Sequence, residues 1–264
     1  MNHEVTSPIK KTPLFTIITV CYNTEGTIKS TVNSVSRQTF RSFEFIIIDG
    51  GSTDGTVERI RESQDYIDYW CSEPDRGVYH AMNKGIDKSC GQWIIFLGAD
   101  DKFCDEFVLD KVAKKLLHSS DNELKMIYGD TLYENGTNFK SEVSRKILWK
   151  NTVQHQSAFY KNSLFNSFKY NDSLRICSDY ELNLLLFINN EKTQYIDIPI
   201  AICGCNGLSS DFKNRSRAIN ELNTIRGWHI NSLLSMYISL ILYVRLMLKL
   251  SIYYITSHVS ISSR

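Results

Sequence analysis

Paired cysteines are missing from this sequence. Its seven cysteines are scattered along the chain, and no two of them have the C-x-x-C spacing. A scattered, odd-numbered set predicts neither a disulfide framework nor a zinc site. The chain also begins without the apolar stretch of a secretory signal peptide. These two absences favour a reduced, cytosolic compartment.

Two common phosphate-binding motifs are absent as well. The sequence contains no GxxxxGK[ST] segment and no GxGxxG segment, which argues against phosphate binding by a P-loop or by a Rossmann turn. Internal repeats and low-complexity tracts are also missing. The function must therefore be sought in other parts of the sequence.

The composition is that of an ordinary globular protein, with 264 residues of which 42% are hydrophobic and 22% are charged. This length is enough for one large domain or for one domain with an appendage. The net charge of +1 conceals an asymmetry, because residues 213–264 carry seven basic side chains and one acidic one. The first 212 residues therefore carry a net charge of −5. An acidic body with a basic, apolar tail predicts contact with anionic lipid and argues against nucleic-acid binding.

The first 118 residues alternate between strand-like and helix-like segments. The run Phe45-Ile46-Ile47-Ile48 is typical of a strand that is buried on both faces of a parallel sheet. Alternation at this spacing predicts βαβ units. The predicted strands are 14–20, 43–48, 66–72 and 93–97, and the predicted helices are 27–37, 54–63, 80–89 and 105–118. Beyond residue 118 the pattern loosens, with a strand predicted at 125–128 and a hairpin turn at Asn135-Gly136.

Polar side chains follow each of the four predicted strands. The carboxyl ends of parallel strands meet at one edge of the sheet, where open α/β proteins bind ligands. Several acidic groups at one edge repel each other unless a cation or a hydrogen-bonding ligand lies among them. The alternative is a set of independent helix caps and turns, a role that fits Asp54. In strand order, the residues are Tyr22 and Asn23, Asp49, Glu73 and Asp75, and Asp100 and Asp101.

Adjacent carboxylates follow the fourth strand in Leu97-Gly98-Ala99-Asp100-Asp101. Carboxylate oxygens suit Mg²⁺ or Mn²⁺, which keep some of their waters and are completed by the phosphates of a substrate. Such a cation neutralises a diphosphate leaving group. A double aspartate alone is weak support for this chemistry.

Four blocks of sequence, taken together, resemble the nucleotide-sugar half of glycosyltransferase family 2, the inverting enzymes of GT-A fold. The blocks are FTIITVCYN, FIIIDGGSTDGT, SEPDRGVYHAMNKGI and WIIFLGADD. The resemblance implies an α/β fold with a doubly wound, mostly parallel sheet flanked by helices. It also implies a nucleotide-sugar-binding half at 1–118 and an acceptor-binding half with the catalytic base at 119–212. The basic, apolar segment 213–264 is expected to associate with the membrane.

The resemblance assigns roles to residues of the donor site. It implies that Asp49 receives the nucleobase and that Asp100 and Asp101 bind the ribose and the metal, Mn²⁺ or Mg²⁺. The sequence has Gly98-Ala99-Asp100-Asp101 where the commonest family spelling is DxDD, so which aspartate binds the metal directly stays open. The other donor-site residues implied are Thr19, Tyr22 and Asn23 around the nucleotide, Asp75 and Arg76 along the ribose and diphosphate, and Asn83 and Lys84 on the next helix.

Inverting transfer requires a base that takes the proton of the acceptor hydroxyl. The segment RICSDYELNLL resembles the family's acidic motif at the start of a helix, which implies that Asp179 is this base. Glu181 is the reserve candidate. Read locally, Ser178 or Asp179 could instead be the N-cap of an apolar helix over 180–188.

Other candidate contacts are less specific. The segment VQHQSAF resembles the family's HQ segment near the acceptor, which implies acceptor roles for His155 and Gln156. A lone histidine is as readily structural. Arg215, Arg217 and Arg226 could contact a diphosphate or could be solvated surface charges.

The segment 233–255 is apolar and long enough to span a bilayer, but it contains Arg245 and Lys249. On a helical wheel its polar residues form one stripe, which favours an amphipathic helix on the membrane surface over a spanning helix or packing onto the body. The stripe consists of Asn231, Ser235, Ser239, Arg245 and Lys249.

The resemblance implies a metal-dependent inverting glycosyltransferase. The expected donor is a UDP-sugar, with UDP-galactose as the first choice, and the expected acceptor is GlcNAc-diphosphate-undecaprenol in O-antigen or capsule synthesis. The expected location is the cytoplasmic face of the bacterial inner membrane, with peripheral attachment. A nucleotidyltransferase and a non-catalytic subunit of a polysaccharide assembly complex remain the alternatives.

Overall fold

The computed structural model of the protein describes residues 12–118, 121–204, 214–231, 233–234, 236–241 and 244. The strands are β1 (Phe15–Cys21), β2 (Phe43–Asp49), β3 (Tyr69–Ser72), β4 (Trp93–Phe96), β5 (Lys102–Phe103), β6 (Met126–Tyr133), β7 (Asn138–Phe139), β8 (Ala158–Lys161) and β9 (Thr193–Cys203). The α-helices are α1 (Ile28–Ser36), α2 (Thr56–Glu62), α3 (Val78–Lys88), α4 (Val108–His118), α5 (Ser178–Ile188) and α6 (Arg215–His229).

The strands form one mixed, mostly parallel sheet in the order β3-β2-β1-β4-β8-β6-β9-β5, with β7 paired to β6. Strands β1 to β4 are parallel, as the βα alternation predicts. Strand β8 runs antiparallel between β4 and β6, which makes those two strands parallel to each other. Strand β9 is parallel to β6, and β5 pairs antiparallel with β9. The observed α/β architecture agrees with the predicted one.

The central strands are buried on both faces, as the apolar run in β2 predicts. Ile17 and Ile47 pack into a core that includes residues of α1, α2 and α4. Ile18 and Ile48 pack into a second core that includes residues of α3 and α5. This alternation follows from the strand itself, because successive side chains point to opposite faces. Helices therefore cover both faces of the sheet in three layers.

The ends of β1, β2 and β3 are aligned. Cys21 lies opposite Asp49 in the parallel register, and Asp49 lies opposite Ser72. Leu97, just after β4, donates its backbone N–H to the carbonyl of Ile18 over 2.9 Å. The loops that follow these four strands thus meet at one side of the sheet, which we call the carboxyl edge.

Strand β6 is longer than the sequence predicts. The predicted strand 125–128 is apolar, but the observed strand continues through Gly129 and Asp130 to Tyr133. A Cβ at position 129 would lie 2.5 Å from the carbonyl oxygen of Ile198, so glycine permits the close approach of β6 and β9. The predicted hairpin at Asn135-Gly136 is confirmed, since β7 returns antiparallel to β6 and Gly136 has φ +82°.

Helix α6 and the residues after it lie against the second half of the chain. Ile225 packs with Ile147, Tyr180 and Leu184 in a third apolar cluster. In the described ranges, no helix is both long enough and apolar enough to cross a membrane. Most of the predicted amphipathic segment 233–255 lies outside the described residues.

Candidate active site

Asp49 ends β2 and is fully buried at the carboxyl edge. Its Oδ2 accepts hydrogen bonds from the backbone N–H groups of Gly51 (3.1 Å) and Ser52 (2.9 Å) and from the Ser72 hydroxyl (2.6 Å). Its Oδ1 accepts from the Ser52 hydroxyl (2.5 Å) and the Cys21 thiol (3.5 Å). Burial alone would raise the pKa of Asp49, but these hydrogen bonds outweigh it and hold that pKa below its usual value. Protein donors thus occupy both oxygens.

The loop after β1 is hydrogen-bonded to the loop after β2. Asn23 has φ +52°, donates its backbone N–H to the Ser52 hydroxyl (2.8 Å) and accepts the Thr53 N–H on Oδ1 (2.9 Å). Tyr22 extends from this loop and is 60% exposed. Thr19 is fully buried, and its hydroxyl has no hydrogen-bond partner in the described part of the chain.

Asp54 lies one residue before Gly55, the N-cap residue of α2, so it is not itself the predicted cap. Its carboxylate accepts the N–H of Thr56, the first residue of the helix, over 2.9 Å. The same carboxylate accepts the N–H of Glu25 over 3.1 Å. The loops after β1 and β2 are therefore fixed to one another at a second point.

The loop after β3 carries Asp75, whose Oδ1 accepts the N–H of Gly77 over 2.7 Å. Lys84 supports this loop from α3, with its ammonium 2.7 Å from Glu73 and 3.3 Å from the Pro74 carbonyl oxygen. Asn83 instead bonds twice to the backbone of Tyr170, at 2.8 Å and 3.0 Å. Both α3 side chains expected near the nucleotide are thus engaged with the protein itself.

Arg76 is exposed and forms an ion pair with Asp172, to which its Nε donates over 3.1 Å. Its carbonyl accepts a hydrogen bond from the Arg175 guanidinium. The loop after β3 is thereby joined to the loop that precedes α5. An exposed cation at this point is free to exchange Asp172 for a phosphate at small cost, because surface ion pairs contribute little.

Asp101 and Asp100 differ in exposure although they are adjacent. Asp101 is 4% exposed, and its oxygens accept the N–H groups of Gly98 (3.0 Å) and Gly204 (3.3 Å). Asp100 is exposed. Burial raises the pKa of Asp101, and the charge of Asp100 raises it further, while His155 acts in the opposite direction.

The pair fits a divalent cation that is shared with a substrate. Asp100 has the exposure that a metal ligand needs, and a cation beside it would relieve the repulsion that raises the pKa of Asp101. No group of three or more His, Cys, Asp or Glu side chains in the described ranges could hold a metal ion. A cation here would therefore depend on substrate phosphates and water to complete its shell, as Mg²⁺ commonly does.

Asp179 lies in the first turn of α5, and its side chain does not cap that helix. Its Oδ1 accepts the hydroxyl of Tyr79 over 3.0 Å, and its Oδ2 accepts the amide of Asn151 over 2.9 Å. The Nδ1 of His155 is 3.3 Å from the same Oδ2. The carboxylate is 7% exposed and is contacted by Tyr79 from α3 and by two residues of the connection between β7 and β8.

His155 contacts Asp179 directly. Its charge also acts to lower the pKa of Asp101. Gln156, the next residue, has a buried Oε1 without a hydrogen-bond partner in the part of the chain that is described. Buried polar atoms are normally hydrogen-bonded, so this oxygen is an unsatisfied acceptor next to His155 in the chain.

The start of α5 is fixed by α6. The Glu221 carboxylate accepts the backbone N–H groups of Arg175, Ile176 and Cys177, each over 2.9 Å. Glu181, the reserve base, is instead 2.6 Å from Nε2 of His229. These contacts fix the helix that carries Asp179.

The three arginines of α6 have different environments. Arg226 is fully buried and donates to the Trp149 carbonyl over 3.3 Å, which excludes both a surface role and a diphosphate contact in this arrangement. Arg215 and Arg217 are exposed. Only these two remain available for an anionic ligand.

The sequence predicts no role for three residues of this site. Tyr79 lies in the segment SEPDRGVYHAMNKGI, but nothing in that segment marks it as a partner of the base, and nothing local marks Asn151 or Glu221. Their partners lie 100, 28 and 44 to 46 residues away along the chain. Only the folded arrangement reveals such contacts.

A mixed α/β sheet with acidic loops at its carboxyl edge, together with a buried carboxylate on α5 that Tyr79 and His155 contact, is the arrangement expected of a glycosyltransferase of GT-A-like fold. The chain belongs to glycosyl transferase family 2, whose model matches residues 16–213. The nucleotidyltransferase alternative is thereby set aside.

Two relatives illustrate the range of the family. A "PGL/p-HBAD biosynthesis glycosyltransferase" of Mycobacterium bovis is 32% identical over 206 residues, covering 72% of this chain and 76% of that protein. A "GalNAc(5)-diNAcBac-PP-undecaprenol beta-1,3-glucosyltransferase" of Campylobacter jejuni is 24% identical over 202 residues, covering 70% of this chain and 62% of that protein.

Solved structures share the fold. TarS 1-349 of S. aureus, crystallised with UDP-GlcNAc, has a TM-score of 0.66 at 17% identity, covering 85% of this chain and 70% of that one. The mannosyltransferase PcManGT of Pyrobaculum calidifontis, in complex with GDP-Man and Mn²⁺, has a TM-score of 0.63 at 16% identity, covering 84% of this chain and 65% of that one.

Proposed function

We propose that this protein is a metal-dependent, inverting hexosyltransferase that uses a UDP-sugar, with UDP-galactose as the first donor to test. The observation that carries the proposal is the position of Asp179. It is a nearly buried carboxylate held by Tyr79 and Asn151, with His155 beside it. A carboxylate fixed in this way suits a general base better than a helix cap.

Asp179 accepts the proton as the acceptor hydroxyl attacks the anomeric carbon of the donor sugar. A new bond forms between the acceptor oxygen and that carbon on the face opposite the diphosphate. The bond from the carbon to the diphosphate oxygen breaks, and UDP leaves with the electron pair. The configuration is inverted, so an α-linked donor gives a β-linked product. Positioning the two substrates lowers the barrier by removing the entropy cost of bringing them together.

Asp100 is the side chain that would hold Mn²⁺ or Mg²⁺, because it is exposed beside the carboxylate of Asp101. When bound, the cation would neutralise charge on the departing diphosphate. Asp101 keeps the loop in shape by accepting the N–H groups of Gly98 and Gly204. Its role is to orient Asp100, not to supply the first contact to the metal.

The proposed acceptor is a sugar linked by diphosphate to a polyprenyl lipid, with GlcNAc-diphosphate-undecaprenol as the first choice. A relative named for a diphosphate-undecaprenol substrate supports this class of acceptor. His155 lies beside the proposed base, where acceptor hydroxyls would have to bind, and Gln156 follows it in the chain. The product would be a lipid-linked intermediate of O-antigen or capsule synthesis.

We further propose that the protein binds peripherally to the cytoplasmic face of the bacterial inner membrane. Apolar side chains beyond α6 are exposed to an unusual degree, among them Leu233 (76%), Met236 (68%) and Leu240 (61%). Together with the positive charge of residues 213–264, they favour an anionic lipid surface. Sedimentation with phosphatidylglycerol vesicles, but not with phosphatidylcholine vesicles, tests this. Replacing Met236 and Leu240 with glutamate should abolish it, whereas Ser216→Glu should reduce it only slightly.

The deciding experiment is release of UDP from a panel of UDP-sugars in the presence of GlcNAc-diphosphate-lipid, with Mn²⁺ or with EDTA. GDP-mannose is included as a sugar donor that carries guanine instead of uracil. Turnover of one UDP-sugar that EDTA abolishes supports the proposal and names the sugar. Turnover of GDP-mannose alone overturns the UDP assignment. A protein that releases no nucleotide from any donor but binds the lipid would be the non-catalytic subunit.

A further inference from the structure

Asp49 was expected to bind the nucleobase, but neither of its carboxylate oxygens is available for that contact. Asp49 is 0% exposed, and two backbone N–H groups, two serine hydroxyls and one thiol already donate to its carboxylate. Because the carboxylate has no exposed surface, a ligand could reach it only if the loops that supply these donors moved apart and their hydrogen bonds to Asp49 were broken. Asp49 therefore shapes the turn after β2, and the base must be recognised by another group.

The next residue, Gly50, leads to that group. A Cβ built on Gly50 would lie 2.4 Å from Oδ2 of Asp75. Gly50 is not among the residues with positive φ, so its backbone conformation does not require glycine. A side chain at position 50 would have to displace the Asp75 carboxylate, because that carboxylate occupies the space where the side chain would lie.

The two oxygens of Asp75 are used differently. Oδ1 accepts the N–H of Gly77 over 2.7 Å, which fixes the orientation of the carboxylate. For Oδ2, no hydrogen-bond donor is found among the residues that the structure describes. Asp75 is partly exposed, next to the ends of β2 and β3. It thus combines a fixed position with an unused acceptor at the carboxyl edge.

We propose that Asp75 recognises the nucleobase by accepting a hydrogen bond from the N3–H of uracil on Oδ2. This inference rests on the proposed use of a UDP-sugar. An ionised carboxylate can only accept hydrogen bonds. Uracil presents N–H at N3, whereas cytosine presents a lone pair there and is repelled. Asp75 therefore selects uridine over cytidine nucleotides. Gly50 contributes by having no side chain where the Asp75 carboxylate lies.

The test replaces Asp75 with asparagine, whose oxygen can keep the Gly77 bond while its NH₂ group replaces Oδ2. An amide donor opposes the N3–H of uracil but suits N3 of cytosine. Isothermal titration of UDP and CDP in the presence of Mn²⁺ should show UDP affinity falling about tenfold to hundredfold and CDP affinity rising. Asp87→Asn, an exposed carboxylate at the far end of α3 that pairs with Lys169, is the matched control and should change neither affinity.

A second measurement keeps the test decisive if the asparagine variant fails to fold. N3-methyl-UDP lacks the donor that Asp75 would accept, so wild-type protein should bind it at least about tenfold more weakly than UDP. In Asp75→Ala that difference should largely vanish. An unchanged UDP/CDP preference in Asp75→Asn, or an undiminished methyl penalty in Asp75→Ala, overturns the inference and leaves the proposed function intact. Wild-type protein that fails to bind UDP overturns the proposed function itself.

Discussion

The hydroxyl of Tyr79 donates a hydrogen bond to Oδ1 of Asp179 across 3.0 Å, joining the first turns of α3 and α5. Burial raises the pKa of Tyr79 well above its usual value, and the charge of Asp179 raises it further. The phenol is therefore a protonated donor in the neutral pH range. With Asn151 on the other oxygen, both ends of the carboxylate are fixed.

Replacing Asp179 with asparagine should lower kcat about 10²-fold to 10⁴-fold, because general base catalysis contributes that much. UDP affinity should stay close to that of the wild type, whereas the melting temperature should fall somewhat, because the new amide group faces one of the donors that now bond to Asp179. Glu181→Gln, on the same helix turn but paired with His229, is the control and should retain most activity. UDP-release kinetics measure both. Comparable losses in the two variants would contradict the assignment of the base.

Replacing Tyr79 with phenylalanine should lower kcat about tenfold and leave KM for the donor unchanged, because Tyr79 orients the base without touching the donor. The matched control is Tyr66→Phe, whose ring is 59% exposed. A rise in KM at constant kcat in the Tyr79 variant would show that the hydroxyl binds substrate instead.

Asp49 should make part of the stability dependent on pH. Its folded-state pKa is lowered, so its contribution is fully present above the unfolded-state pKa of about 3.9 and is lost as the pH falls through the lower, folded-state value. Asp49→Asn should lower the free energy of unfolding by about 2–4 kcal/mol at pH 7. It should also flatten the loss of stability below about pH 4. Urea unfolding at several pH values, with Asp87→Asn as the exposed control, measures this.

The packing of α3 on β1 should be sensitive to one methyl group. A Cβ on Gly85 would lie 2.5 Å from Cγ2 of Ile18, which is fully buried. Gly85→Ala should therefore destabilise the protein by about 1–3 kcal/mol. Gly227→Ala, in α6 with nothing within 4 Å of the new Cβ, should instead stabilise it by about 0.5–1 kcal/mol. Thermal melts of the two variants should shift in opposite directions.

Glu221 should matter to activity although it is not expected to touch substrate. Replacing it with alanine leaves three backbone N–H groups without their acceptor at the start of α5. We expect a loss of about 2–3 kcal/mol in stability and a lower kcat, because Asp179 lies two residues beyond this anchor. Glu123→Ala, an exposed carboxylate, serves as the control. Full activity in a destabilised Glu221 variant would show that the base does not depend on this anchor.

Features determined by neighbouring residues could be predicted from the sequence. The apolar run Phe45 to Ile48 fixes a buried strand, and the Asn135-Gly136 pair fixes a hairpin, because each signal lies within a few residues. The family motifs locate the loops at the carboxyl edge for the same reason. The antiparallel strands β5 and β8 could not be predicted, since two to four residues carry too little pattern.

The different roles of chemically identical side chains in the site also could not be predicted from the sequence. Asp49 and Asp75 are both aspartates after strands, and nothing local distinguishes them. Their roles depend on which donors arrive from elsewhere: Ser72 reaches Asp49 from the next strand, and Gly50 leaves room for Asp75. Hydrogen bonds between distant segments determine that both oxygens of Asp49 have protein donors, whereas Oδ2 of Asp75 has none among the described residues.

Strand β5 has a consequence for protein engineering. It directly follows Asp101 but pairs with the last strand, with Phe103 opposite Ala201, at the far edge of the sheet from β3. Just after that last strand, a Cβ on Gly204 would lie 2.6 Å from Oδ2 of Asp100. Chimaeras that exchange the second half between family members therefore carry a hidden requirement. The incoming segment must supply a strand that pairs with β5 and a glycine at position 204. Without that glycine, the new side chain would displace the Asp100 carboxylate.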